Sequence, residues 1–403
     1  VILKKNFEGT QVSAELGGSQ HGGGTTKNFS LTHGFGKSGD AVSGYVAVEW
    51  RKQDDILVNQ RSGNWTNMDW RSQGGLDLRP GARNARVVNP RLATPYLQKL
   101  VGAATTASNF AFYDGCTHAQ MRASECIFTN TWGQIQPTSE NLNLVGRLNF
   151  KFGSDWDASV SASYFDSQSQ QVFPPSNIPF GSFAGVTAFG PGQAPAILNV
   201  IDDFTVPATY PGNTLGEKAG VRAMLDPTLP RTTDVQSKSY RLVADISGVF
   251  AGLDVRGAVG HTRVETNRTF NGYIQVPNLL AALNRTTNPF LLTGGNSAEM
   301  MAFVAPTART KSTDELDFLS LRASQDLMQL DGGALGVAAG FDHRYKSLTA
   351  PNPAEVRNGS MALPSAFAIG AEHVTSAYVE AVAPVTKMLE LSAALRADRY
   401  DTS

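Results

Sequence analysis

Along most of the chain, hydrophobic and polar residues alternate with a period of two. In 141–152, Leu142, Leu144, Gly146, Leu148, Phe150 and Phe152 alternate with Asn141, Asn143, Val145, Arg147, Asn149 and Lys151. Successive side chains of a strand point to opposite faces, so this segment predicts a strand with one apolar and one polar face. After the turn Gly153-Ser154-Asp155-Trp156 the rule resumes, with Ala158, Val160, Ala162 and Tyr164 set against Ser159, Ser161, Ser163 and Phe165. The same unit returns around the turns at 251–252, 331–333 and 386–388 and, near the start, through Val12, Ala14 and Leu16 and through Phe29, Leu31, His33 and Phe35. The pattern predicts eleven strands, beginning near Gly9, Thr26, Ala41, Asn141, Asp157, Lys238, Leu253, Glu315, Ala334, Val374 and Leu389.

Alternation alone also fits a soluble β-sandwich, and the connections decide between the two. Short turns at about 36–40, 153–156, 250–252, 331–333 and 386–388 take turns with an intermediate connection at about 17–25 and long ones at about 58–139, 174–234, 275–312 and 350–372. Tight turns at one end and large loops at the other are the pattern of a transmembrane β-barrel, whereas a compact soluble domain rarely carries several irregular loops beyond about 15 residues. In lipid every backbone amide needs an internal partner, so a sheet spans only as a closed wall, apolar outside and polar toward a wet interior. The polar faces carry Arg, Asp and Glu at a density that a packed soluble core does not accept. Aromatic residues near strand ends, Phe35, Phe152, Trp156 and Phe250 toward the turns and Trp50, Tyr164 and Tyr345 toward the loops, fit interfacial girdles. The expected fold is therefore all-β, an antiparallel transmembrane β-barrel with long extracellular loops and short periplasmic turns.

Composition adds mostly exclusions. Lys+Arg 34 against Asp+Glu 35 leaves a net charge of -1, which gives no pull toward nucleic acid. No apolar run reaches the roughly 18 residues that a spanning helix needs. Cys116 and Cys126 are the chain's two cysteines, and their spacing suits a small disulfide loop in an oxidising compartment, with two free thiols as the alternative. An odd strand count is expected of an unfinished wall, because single-chain bacterial barrels have even counts. The opening Val1-Ile2-Leu3-Lys4-Lys5, without Met or a secretory signal, reads as a cut terminus.

Val1-Ile2-Leu3-Lys4-Lys5 followed by Phe7-Glu8-Gly9 resembles the end of the plug domain of TonB-dependent outer-membrane receptors, where a strand leads through a short link into the barrel. Tyr378-Val379-Glu380, Pro384 and Leu395-Arg396-Ala397-Asp398-Arg399-Tyr400 are similar to paired mid-barrel strands of that family. The resemblance implies that residues 1–8 end the plug and that 9–403 form the N-terminal half of a barrel of about 22 strands. It also implies energised import of a scarce ligand, a siderophore, oligosaccharide or similar, across the bacterial outer membrane. The expected partners are outer-membrane lipid, that ligand, and the TonB-ExbB-ExbD complex acting through a plug and TonB box that have no counterpart here. A passive porin is the alternative, physically consistent with every alternating strand.

No catalytic constellation, phosphate-binding loop or zinc helix motif is present, so neither an enzyme nor a cofactor is expected. His33, His261 and His343 fall in the apolar register, where a membrane-interface position is the plain reading and a metal site the lesser one. Asp54-Asp55 and Asp202-Asp203 read as solvated loop acids ahead of a calcium site. Candidate ligand chemistry lies in the longest loop, as Trp65, Trp70, Arg71 and Gln73 and, nearer its end, Asn130, Trp132 and Gln134. Flat aromatic faces with directional amides and a guanidinium suit a sugar or a siderophore. Packing of the loop on itself stands as an equal alternative. The next loop, through Phe173, Phe180, Phe183 and Phe189-Gly190-Pro191, is expected to be a folded lid.

Overall fold

A computed structural model describes residues 7–37, 39–63, 68–79, 81–82, 94–102, 105–113, 115–129, 132–178, 183–186, 197–201, 203–226, 228–361, 363–364 and 367–402. Its main body is one 11-stranded antiparallel sheet in which every strand pairs with its neighbours in sequence. The strands are β1 (Gly9–Gly17), β2 (Thr26–Phe35), β3 (Val42–Gln53), β4 (Thr138–Phe152), β5 (Trp156–Phe173) and β6 (Arg231–Phe250), then β7 (Leu253–Asn271), β8 (Ala308–Leu330), β9 (Gly333–Ala350), β10 (Ala368–Thr386) and β11 (Leu389–Thr402). The sheet is a meander that does not close on itself.

All eleven expected strands are present, but four begin closer to the loops than alternation indicates: β4 at Thr138, β6 at Arg231, β8 at Ala308 and β10 at Ala368. The missed segments, such as Thr232-Thr233-Asp234-Val235-Gln236-Ser237, carry polar residues on both faces, so they pair as strand while giving no apolar rhythm. β8 runs 23 residues, about twice the 9 to 11 that cross a bilayer, so its loop end extends well beyond any lipid band. Between β6 and β7 the turn is Ala251-Gly252, both at positive φ (53° and 80°), as a two-residue turn matched to strand twist requires.

The register carries the facial alternation across the whole sheet. Val48 pairs with Leu144, Leu144 with Tyr164, and Tyr164 with Tyr240, which gives one apolar row over four strands. Leu242, Ile246, Val259, Leu321, Leu391 and Leu395 of the apolar face are exposed in the isolated chain. The opposite face is bonded across strands: Ser159 donates to Asp245, Arg147 lies 3.9 Å from Asp245, and Arg396 donates to Asp398 at 2.9 Å and Ser376 at 2.9 Å while covering the Tyr378 ring. Tyr378 in turn lies over Gly340, its register partner, where any Cβ would meet the ring.

Candidate functional site

The buried hydrophobic core lies mostly at the loop ends of the strands. Loop segments 54–137 and 174–230 join in one 4-stranded sheet, in the order Thr205–Val206, Ala219–Arg222, Tyr96–Lys99, Phe110–Phe112. Its apolar side packs against two helices from loop 272–307, α2 (Val276–Leu283) and α3 (Ala298–Val304). Leu97, Phe204, Val221, Leu279, Leu283 and Phe290, drawn from all three loops, have essentially no exposed surface. Hydrogen bonds tie the same loops: Tyr210 Oη donates to the Phe290 carbonyl at 2.7 Å, Asn284 Nδ2 to the Thr205 carbonyl at 2.9 Å, and Tyr113 Oη to the Pro211 carbonyl at 2.9 Å. Burial raises the Tyr210 phenol to about 12, so it stays a donor throughout the physiological range. These loops form a folded cap.

The cap is seated on the polar face. Phe270 of β7 and Ala308 of β8, both polar-face positions, are buried with Tyr273 and Met361 from the loops in a second small core. Arg231, at the loop end of β6, covers the rings of Phe173 and Tyr273 and donates to the Pro174 carbonyl. At the other end of the wall the Phe7 backbone crosses the polar face at Gly34, close enough that a Cβ there would strike the Phe7 carbonyl. Phe7 and the cap therefore lie on the same face.

The expected ligand residues fall into separate settings. Trp65 and Asn130 lie outside the described residues, as do Phe180, Phe189, Gly190, Pro191 and Asp202. Trp70, Arg71 and Gln73 share one turn, with Trp70 39% exposed. Arg71 donates two bonds to Asp69, both 2.8 Å, and Arg79 repeats the geometry on Asp77. Crossed contacts of 3.5 Å (Arg71 to Asp77) and 3.3 Å (Arg79 to Asp69) close a ring of alternating charges. Gln134 is a clasp at the base of its loop, donating to Asp55 and accepting from the Val172 amide at 2.7 Å, and Trp132 lies two residues before it. Asp203 is taken up by Arg222, through bonds of 3.0 and 3.1 Å. Phe183 lies in a short strand, Phe183–Val186, paired with Ile197–Ile201.

Hydrogen bonds from Arg71 hold the Asp69 carboxyl down to about 2, against an ordinary 3.8. Because the folded-state value is depressed, the charged ring stabilises this turn fully above about pH 4 and is lost as the pH falls toward 2. Pepsin is expected to spare 68–79 at pH 4 and to cleave it at pH 2, with Asp69→Asn cleaved already at pH 4. Equal cleavage of the parent at both values would remove the ring as the cause.

Cys116 and Cys126 are joined in the structure, with Cα atoms 5.9 Å apart, around α1 (His118–Arg122), which Thr117 caps through the Gln120 amide. A cross-link over so short a loop should contribute about 2 to 3 kcal/mol, local to it. Intact mass of the non-reduced protein from isolated membranes is expected to lie two hydrogen atoms below that of the reduced form; two freely alkylated thiols would contradict the link.

Alternation did not flag the cap core. A sequence signal for part of it exists, since Val276, Leu279 and Leu283 recur at helical spacing and Pro277, between the first two, suits a first helical turn. The strand pairing of Tyr96–Lys99 with Ala219–Arg222, more than a hundred residues apart, leaves no local trace.

A meander of amphipathic strands with a loop cap on its polar face is the architecture of part of a β-barrel wall. Among solved structures, the chain is similar to a mutant of the ferric enterobactin receptor PfeA of Pseudomonas aeruginosa, with 10% identity, TM-score 0.45, and coverage of 98% of this chain and 40% of that one. It is also similar to the siderophore receptor PirA of Acinetobacter baumannii (10% identity, TM-score 0.42, 98% and 40% covered) and to the ferric-catecholate import receptor Fiu of E. coli K12 in its closed form (10%, 0.41, 99% and 42%). The chain thus spans about two fifths of the length of these proteins. No protein-family model matches the chain, and no curated protein does.

Proposed function

We propose that the chain forms part of the wall and outer cap of a TonB-dependent outer-membrane receptor, which imports a scarce ligand such as a siderophore or oligosaccharide. The observation that carries this reading is the separation of faces in the turn-side part of the wall, where Leu144, Leu242, Ile246, Val259, Leu321 and Leu395 share one side and Arg147, Asp245 and Arg396 the other, with the cap on the charged side. In a bilayer the apolar face meets lipid and the polar face lines a wet interior. The path of Phe7 across Gly34 supports a plug inside that interior, because it brings Phe7, just ahead of β1, onto the inner face. Residues 1–8 are then the link from plug to barrel. The cap covers the outer mouth and is the natural receptor surface, since loops on a rigid scaffold carry recognition.

Within the cap, Trp70 and Gln73 are the ligand contacts best placed to reach solvent, and Arg71 keeps a largely exposed side chain although Asp69 engages its guanidinium. Gln134 acts as a clasp in this reading.

The test is uptake of a labelled ferric siderophore or maltooligosaccharide by cells carrying the parent protein with its native flanks, in a strain lacking it, with and without TonB. Uptake only with TonB is expected. Uptake that persists without TonB and follows the outside concentration would point to a passive porin instead. Trp70→Ala should weaken ligand binding while leaving heat-modifiable gel mobility unchanged.

A further inference from the structure

Above its apolar band, the lipid-side face continues as a ladder of polar residues. The register aligns Lys52, Glu140, Gln168, Gln236 and Asn267 in one row across β3 to β7, and Thr138, Gln170, Asp234 and Thr269 in the next row toward the loops. Together they line a groove of about 480 Å³. Several of its groups are held in place: Lys52 lies 3.3 Å from Glu140, which also accepts from Trp50 Nε1 at 2.9 Å, while Gln170 donates to Asp234 at 2.7 Å and Gln236 to Asp166 at 3.1 Å. The side chains of Gln168, Asn267 and Thr269 are left to face the groove. The next row toward the turns holds Leu142, Asp166, Lys238 and Glu265, and the row after it Leu144 beside the paired rings of Tyr164 and Tyr240, 5.2 Å apart, with Leu242 one row further.

We propose that this groove binds the sugar headgroup of a glycolipid in the surrounding outer leaflet, a reading that rests on the membrane placement above. Amide side chains offer donors and acceptors together, which matches sugar hydroxyls, and the Tyr164–Tyr240 shelf is the amphipathic surface found where acyl chains give way to headgroups. The cations at and beside the groove each have a carboxylate close by, Lys52 with Glu140, Lys238 with Asp166 at 4.0 Å and Lys311 with Glu265 at 3.0 Å, and Asp234 adds a further negative charge, so the groove disfavours a bare phosphate. Position decides between a free and an anchored sugar. Gln168 is four residues from Tyr164, about 13 Å along a strand, so a lipid whose chains lie on Leu144 and Leu242 carries its headgroup to this height.

The experiment uses the full-length parent and the triple variant Gln168→Ala, Gln236→Ala, Asn267→Ala in nanodiscs of phosphatidylethanolamine and phosphatidylglycerol, titrated with a fluorescent rough lipopolysaccharide, its dephosphorylated form, or the delipidated core oligosaccharide. Both lipid-bearing probes should bind the parent and lose about tenfold in affinity in the variant, as three removed amides of modest individual worth imply. The free oligosaccharide should bind far more weakly. A control pair on the polar face, Ser167→Ala with Ser239→Ala, should bind like the parent. Binding of the phosphorylated probe alone would make the contact a phosphate site, equal binding of the free sugar would remove the lipid anchor, and unchanged affinity in the triple variant would end the proposal. A parent that fails to enter the bilayer defeats the barrel reading itself, whereas one that folds and transports normally while the variant binds unchanged defeats this inference alone.

Discussion

Replacing Leu144 with Arg is expected to block assembly of the wall in the membrane, whereas Asn143→Arg, one residue away, should assemble normally. Leu144 lies on the apolar face between Val48 and Tyr164, and Asn143 on the opposite face between Glu49 and Phe165. An Arg at the bilayer midplane on the lipid side costs about 2 to 4 kcal/mol, while a lumen position stays hydrated. Leu391→Arg on β11, between Ala383 and solvent in the isolated chain, should repeat the defect. The measurement is heat-modifiable mobility of outer-membrane fractions. If Asn143→Arg proved as damaging as Leu144→Arg, the assignment of faces would be wrong throughout, because a single register links every strand.

Truncating Phe204 to Ala is expected to loosen all three cap loops together. The side chain has no exposed surface and sits among residues from three separate loops, so the change costs about 3 to 5 kcal/mol, most of it cavity. Backbone amides of Tyr96–Lys99, Ala219–Arg222 and α2 should lose hydrogen-exchange protection in step, while β6 to β9 keep theirs. Phe250→Ala, at a 66% exposed position on the apolar face, should leave the cap unchanged. Loss of protection confined to 203–225 would mean that the loops fold independently and that the shared core contributes little. A cap that behaves as one body also bears on the receptor reading, since its recognition surface would be assembled before a ligand arrives.

What the sequence determined by itself was the wall. Strand number, pairing order, turn positions and the face of each residue follow from a period of two interrupted by tight turns, because the register of a meander is set locally and one face must satisfy lipid while the other satisfies water. The pattern gave out where both faces are polar: Thr232 to Ser237 of β6 pair as strand without any contrast between sides, and the amide groove lies in that same zone. The cap was decided by tertiary structure alone. Its core joins Leu97, Phe204 and Leu279 from three loops, and contacts at such separations depend on where the strands bring the loop ends, which no local periodicity records. The candidate site shows the same division. Trp70, Arg71 and Gln73 were legible as aromatic and polar chemistry, but only the folded turn shows Asp69 and Asp77 binding the two arginines, and only the paired rim shows Gln134 spent on Asp55 and Val172. A side chain's chemistry is a local property of the sequence, whereas its availability depends on which partners the fold brings within hydrogen-bonding distance.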